Sequence, residues 1–285
     1  MKALPKQLKK LALLLLASSL LASCTATFTY NQLDWLIPWY VDGYVDLTRD
    51  QKRLLKGQLT PVLQWHRDEE LLSYIEILDQ VESDLAAPVS AAQVRGWIDE
   101  AFTAGQRVEE TMMTVALDFG ATLSDAQIQE FVDSLWEEQE EYEADFLERD
   151  DLENIEDNLE NLEDFLRRFI GRPSPAQQKR LKLAAESMQR FDAAWLAERE
   201  DWLTTLELLL QRQPGWQDAL RAAHARRTAD RPPDYRAIVD HNLDVITGAV
   251  ADVLNQMSPK QYQRAQKEIE DLRGKLRKLI RQSES

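Results

Sequence analysis

Apolar side chains recur along this chain at intervals of three and four residues, the period of one face of an α-helix. Leu152, Ile155, Leu159, Leu162, Leu166 and Phe169 form the clearest run, at spacings of 3, 4, 3, 4 and 3. That heptad seam is the pattern of helices packed side by side. Ile128, Phe131, Leu135, Tyr142 and Phe146 line the preceding stretch, and Asp150 and Asp151 offer a cap, so Ser124 to Ile170 reads as one long helix or two. A similar seam runs from Ser174 to Leu210, with Glu198 where an apolar residue belongs. Leu63, Leu71, Leu72, Ile75, Leu78 and Leu85 stripe another helix, and Ile238, Leu243, Ile246, Val250 and Val253 one more.

Helix starts are marked independently of this periodicity. Thr48-Arg49-Asp50-Gln51, Ser90-Ala91-Ala92-Gln93, Ser124-Asp125-Ala126-Gln127, Ser174-Pro175-Ala176-Gln177 and Ser258-Pro259-Lys260-Gln261 are all capping boxes. The hydroxyl accepts from the third helical amide and the glutamine reaches back to the cap. The starts lie 42, 34, 50 and 84 residues apart, a loose hairpin rhythm rather than a strict repeat. Pro61 predicts an end or kink near Leu59. Gly120 and Pro214-Gly215 punctuate, a short helix is predicted over Trp216 to Arg227, and the last helix runs from Ser258 to about Arg281.

Phe28 to Leu47 is the most aromatic stretch, with Phe28, Tyr30, Trp35, Trp39, Tyr40 and Tyr44. Trp35 and Trp39 stand one helical turn apart. Packing into a helical core is the expectation for them; a place at a membrane interface is the alternative, because indole favours that zone.

The N-terminus differs from everything after it. Lys2, Lys6, Lys9 and Lys10 precede the apolar run Leu11 to Ala22. Twelve such residues are too few to span a bilayer. A basic start, a short apolar run and small residues before a cysteine form an export signal. Leu21-Ala22-Ser23-Cys24 resembles a bacterial lipobox, which implies cleavage before Cys24 and acylation of that cysteine. Cys24 is the only cysteine in the 285 residues, so an internal disulfide is excluded.

Composition sharpens this picture. Only 9 glycines and 10 prolines occur, and good helix formers dominate. The net charge is −16, and removing the four leader lysines makes it −20. Such a surface repels phosphate, so nucleic acid is excluded as a partner. Between Glu137 and Asp164, fifteen acids face one base, Arg149. Calcium loops need a compact turn with a glycine, which is missing, so these acids read as solvated helix faces. They would dock against the basic last helix, or against Arg221, Arg226, Arg227 and Arg231.

Candidate chemistry is sparse. Trp65-His66-Arg67-Asp68-Glu69-Glu70 puts His66 and Glu70 four apart on one helix face, a spacing suited to proton transfer. A surface pair beside a packed tryptophan is the expected role. His224 and His241 show no metal-ligand spacing, and hydrolase and phosphate-loop motifs are missing from the sequence.

Two resemblances follow from these residues. The lipobox, Asn31-Gln32-Leu33-Asp34-Trp35, Tyr44-Val45-Asp46-Leu47-Thr48-Arg49-Asp50-Gln51 and Trp65-His66-Arg67-Asp68-Glu69-Glu70-Leu71 together resemble a family of proteobacterial all-helical lipoproteins known only as a domain of unknown function. The likeness makes Trp35, Tyr44, Asp46, Gln51, Trp65, His66 and Arg67 candidate signature or binding positions. Leu47-Thr48-Arg49-Asp50-Gln51 is also similar to the Leu-Thr-x-x-Gln motif of the small periplasmic chaperones Spy and CpxP, which are shorter and often cationic.

The sequence therefore predicts an all-α, antiparallel multi-helix bundle behind a cleaved lipoprotein signal peptide, residues 1–23. Residues 24–285 are expected to form one helical domain: an aromatic first helix over 28–47, hairpins over 48–230 and a C-terminal hairpin over 234–281. No catalytic residue, metal or cofactor is assigned. The expected partners are a membrane, through lipid on Cys24, and another envelope protein. The expected location is the outer membrane, facing the periplasm. Chaperone-like client binding, or an enzyme built on His66, Arg67 and Glu70, are the alternatives.

Overall fold

A computed structural model describes residues 24–282; the leader and its apolar run lie outside the described residues. Among those residues the secondary structure is helical, with no strand. The helices are α1 (Cys24–Tyr30), α2 (Leu33–Val41), α3 (Arg49–Trp65), α4 (Leu71–Asp84), α5 (Ala91–Gly120), α6 (Asp125–Leu147), α7 (Asp151–Ile170), α8 (Pro175–Ser187), α9 (Asp192–Leu209), α10 (Trp216–Arg226), α11 (Pro233–Asn255) and α12 (Pro259–Arg281). A π-helical turn, His66–Glu70, joins α3 to α4. The all-α multi-helix bundle is thus the observed fold class.

The chain divides into two compact units. Unit 1 holds residues up to 75, 104–135 and from 272 onward, and unit 2 holds 76–103 and 136–271. In unit 1, Tyr30, Leu71 and Leu279 form a buried cluster, with Leu33, Tyr74, Leu276 and Ile280 packed on it. The core of unit 2 includes Leu166, Ile170, Leu181, Val253 and Ile269. Ala184, Ala249 and Ala251 are buried there too, and such short side chains let α8 and α11 approach closely.

All five capping boxes form. In each, the hydroxyl accepts from the amide three residues on, and the glutamine accepts from the cap amide. Asp150 and Glu153 make a sixth, which settles the long acidic segment as two helices. Within the seam, Leu166 is buried, whereas Leu152 is 63% exposed.

Three expectations need correction. The 28–47 helix is two helices followed by coil, and Pro38 sits inside α2, buried. Pro61 does not end α3 near Leu59; it sits inside the helix, which continues to Trp65. Gly57, whose carbonyl loses its partner to the proline, is exposed, so water satisfies it. The Ser174 segment breaks after Ser187, with Met188 extended. The Asn242 side chain accepts from the Gln189 N–H at 2.8 Å and donates to its carbonyl at 2.8 Å, which satisfies the open backbone.

Glu198, the acid in the α9 seam, is buried and takes a bidentate bond from Arg227 at 2.8 and 3.1 Å. Arg227 therefore serves Glu198, while Arg149, Arg190 and Arg199 supply cations to the acidic stretch, at Asp157, Asp151 and Glu138. Gly171 ends α7 at φ +77°, and an added Cβ there would lie 3.3 Å from the Arg264 side chain. Only glycine satisfies both conditions.

Candidate functional site

The Trp65–Leu71 motif falls in unit 1 and straddles the π-turn. The Leu71 N–H bonds to the His66 carbonyl, five residues back instead of four. One extra residue offsets the following helix face by about 100°. His66 and Glu70 are therefore not the regular helical pair that their spacing suggests. Each turns to its own partners.

His66 is gripped at both ring nitrogens. Nδ1 lies 2.8 Å from the Tyr30 hydroxyl and Nε2 3.1 Å from the Tyr74 hydroxyl. A neutral imidazole has one donor and one acceptor nitrogen, so one tyrosine donates and the other accepts. Burial lowers the His66 pKa, opposed by the nearby Glu70 carboxylate. Burial also pushes the Tyr30 hydroxyl up to about 12, against the pull of Arg67, and raises that of Tyr74. The triad is a set of neutral groups across the neutral pH range.

Arg67 ties the end of α1 to this turn. Its Nη2 donates to Asn31 Oδ1 at 3.0 Å, and its guanidinium carbon sits 5.2 Å from the centre of the Tyr30 ring. Asn31 in turn donates to Gln282 Oε1 at 3.0 Å. Trp65 is half-buried and presents its ring edge-on to His66, centroids 6.4 Å apart.

Glu70 is 4% exposed. Arg107 clamps both of its oxygens, Nε to Oε1 at 2.7 Å and Nη2 to Oε2 at 2.8 Å, and Nη2 also reaches Ser73 Oγ at 2.8 Å. A proton-transfer site needs a base with a free lone pair aimed at a substrate. Both nitrogens of His66 and both oxygens of Glu70 are already engaged. The cluster is a joint between helices.

The second motif is another joint. Tyr44 bonds Tyr40 through their hydroxyls at 2.8 Å and packs its ring on Phe131. The Tyr44 carbonyl accepts from Ser134 Oγ at 3.0 Å. Asp46 contributes its backbone: its N–H donates to Glu130 at 3.1 Å and its carbonyl accepts from Gln127 at 2.8 Å, while the residue itself is exposed. Gln51 Nε2 meets Gln127 Oε1 at 2.9 Å, so the Thr48 and Ser124 helix starts dock on each other. Trp35 joins neither cluster; it stacks on Trp39 and is 57% exposed, against the expected core packing.

Sequence reasoning missed Tyr30, Tyr74, Arg107 and Asn31 as partners of His66, Glu70 and Arg67. Gln127 was visible only as a capping residue. Among the described residues no group of His, Cys, Asp or Glu is placed to hold a metal.

Unit 2 carries an open cleft of about 450 Å³ with a mixed polar and apolar lining. It lies between the α4–α5 and α11–α12 turns, lined by Leu85, Pro88, Val89, Leu254, Met257 and Tyr262. Asn255 stitches its two sides, accepting from the Val89 N–H at 2.7 Å and donating to the Val89 carbonyl at 2.8 Å. A volume of this size is within the range of ligand sites.

Residues 43–236, more than half of the chain, match the family of unknown function DUF6279, and the chain belongs to that family. The match contains both motifs, Tyr44 to Gln51 and Trp65 to Leu71, while Tyr30 and Asn31, the partners of His66 and Arg67, precede it. No curated protein and no solved structure matches the chain.

Proposed function

We propose that this DUF6279 protein is a non-catalytic envelope lipoprotein that binds or scaffolds another envelope protein. It is held by acyl chains on Cys24 to the outer membrane and faces the periplasm. The anchoring rests on the leader pattern ahead of Cys24. The observation that carries binding is the open cleft in unit 2, where Leu85, Val89, Leu254 and Met257 stand beside the polar Asn255. An enzyme site would instead need a free base in a polar cavity, and the best sequence candidates, His66 and Glu70, are fully engaged.

A photo-crosslinking residue in place of Ala87, on the cleft wall, tests this in intact cells. One reproducible adduct, weakened when Met257→Glu charges the cleft, is the expected result. Many unrelated adducts favour client binding of the chaperone kind. No adduct in the acylated protein would remove the cleft as a binding site. Labelling by tritiated palmitate, retained in wild type and lost in Cys24→Ser, checks the anchor separately.

A further inference from the structure

We infer that α1 and α2 form a bilayer-contacting face, with Phe28, Trp35 and Trp39 seated in the membrane interface. This rests on the anchoring reading above and gives that anchor a second, protein-borne contact.

The pattern of α1 is inverted relative to a helix facing water. Thr27 and Thr29 are 6% and 8% exposed, whereas Phe28, between them, is 66% exposed. Tyr30 is buried in the unit 1 cluster, and Leu33 of α2 packs on that cluster. The inward side of this segment is thus already occupied, Phe28 and Trp35 are left outside, and Trp39 is half-buried. Trp35 lies nearly parallel on Trp39, ring centroids 6.4 Å apart and planes at 17°. The stack makes one broad indole surface of the kind that settles at headgroup depth.

Charge supports the same occupant. The chain carries −16 overall, yet Cys24 to Val41 holds one charged residue, Asp34. Lys56 of α3 pairs with it at 2.8 Å. Asp42, just beyond α2, is paired with Lys52 at 2.7 Å. An acidic protein therefore presents a neutralised, aromatic segment directly behind its apolar leader. Residues 1–23 lie outside the described residues, and Cys24, the next in the chain, is the first residue of α1. Phe28 follows one turn later, about 6 Å along the axis. Acyl chains on Cys24, or the apolar run itself, bring hydrocarbon to this end of α1. A lipid surface is the occupant that both sequence and exposure select.

The test uses the full chain, purified from membranes with its native N-terminus and reconstituted into vesicles of phosphatidylethanolamine and phosphatidylglycerol. Brominated acyl chains quench tryptophans at the interface. Wild type is compared with Trp35→Phe/Trp39→Phe, which keeps an aromatic ring at each position and leaves six of the eight tryptophans emitting. The expected result is quenching in wild type that disappears from the double variant. Phe28→Ser should shift the remaining quenching toward shallower bromine positions. Equal quenching in both proteins, or none in an acylated wild type, overturns the proposal and leaves the anchor standing. Quenching without acylation of Cys24 overturns the anchor and keeps the face. A dimer that depends on Trp35 and Trp39 in unquenched vesicles would assign the face to a second copy and overturn the lipid contact.

Discussion

Each unit docks two capped helix starts on one another through a pair of glutamines, and the two pairs differ in depth. In unit 1 the starts are Thr48 and Ser124, joined by Gln51 and Gln127 at 2.9 Å. In unit 2 they are Ser174 and Ser258, joined by Gln177 and Gln261 at 2.9 Å. The correspondence extends to the backbone. Gln127 donates to the carbonyl of Asp46, two residues before its partner cap, and Gln261 donates to Arg172, two residues before the other. Gln51, however, is half-exposed, whereas Gln177 is 0% exposed and also donates to the Val253 carbonyl at 3.0 Å. The same four-residue pattern is a surface clasp in one unit and reaches the buried core in the other. A Leu-Thr-x-x-Gln stretch in this chain thus reports how helix ends meet.

Burial sets the stakes of a hydrogen bond more than its length does, because a lost partner is replaced by water only at the surface. Gln177→Ala should therefore cost about 3 kcal/mol, leaving the Ser174 amide and the Val253 carbonyl short of a partner in a dry site. Urea unfolding, with hydrogen exchange followed at residues 174–181, measures it. Arg107→Met comes next, at about 2 kcal/mol. It strands the buried Glu70 carboxylate, and the cost is discounted because the Arg107 side chain is 41% exposed. Gln51→Ala should cost about 1 kcal/mol, since water reaches its partners. Equal losses for Gln51→Ala and Gln177→Ala would break the comparison and show that burial does not separate the clasps.

What the sequence revealed follows the range of the interactions. A capping box is closed within three residues, so all five could be read directly. Asp150 needed the same logic applied to an acid. The break after Ser187 depends on Asn242, 53 residues beyond the Gln189 it holds, and no local signal announces it. Glu70 looked like a surface acid until Arg107, 37 residues on, arrived to neutralise it. Pro61 shows a local rule losing to context, since an exposed Gly57 carbonyl needs no protein partner. Trp35 shows the limit of periodicity. Its spacing from Trp39 marks a helical face, but not what that face meets.

The smallest effect separates the units by pH. The unit 1 joint contains His66, held neutral between Tyr30 and Tyr74, with Arg67 and Glu70 as its nearest charges. In the unfolded chain a histidine takes up a proton near pH 6.5. In the folded chain burial holds His66 below that value. Between the two pKa values the unfolded state binds more protons, so stability rises with pH there. The contribution is complete above about pH 6.5. It is lost as the pH falls toward the folded value, and it levels off below it. Exchange at residues 66–74 should accelerate on acidification from neutrality, while the Gln177 clasp, which has no titrating group, stays unchanged over the same window. His66→Gln should flatten the unit 1 slope without moving that of residues 174–181. If the slope survives the substitution, another group drives it, and the His66 joint is not what makes the two units differ in acid.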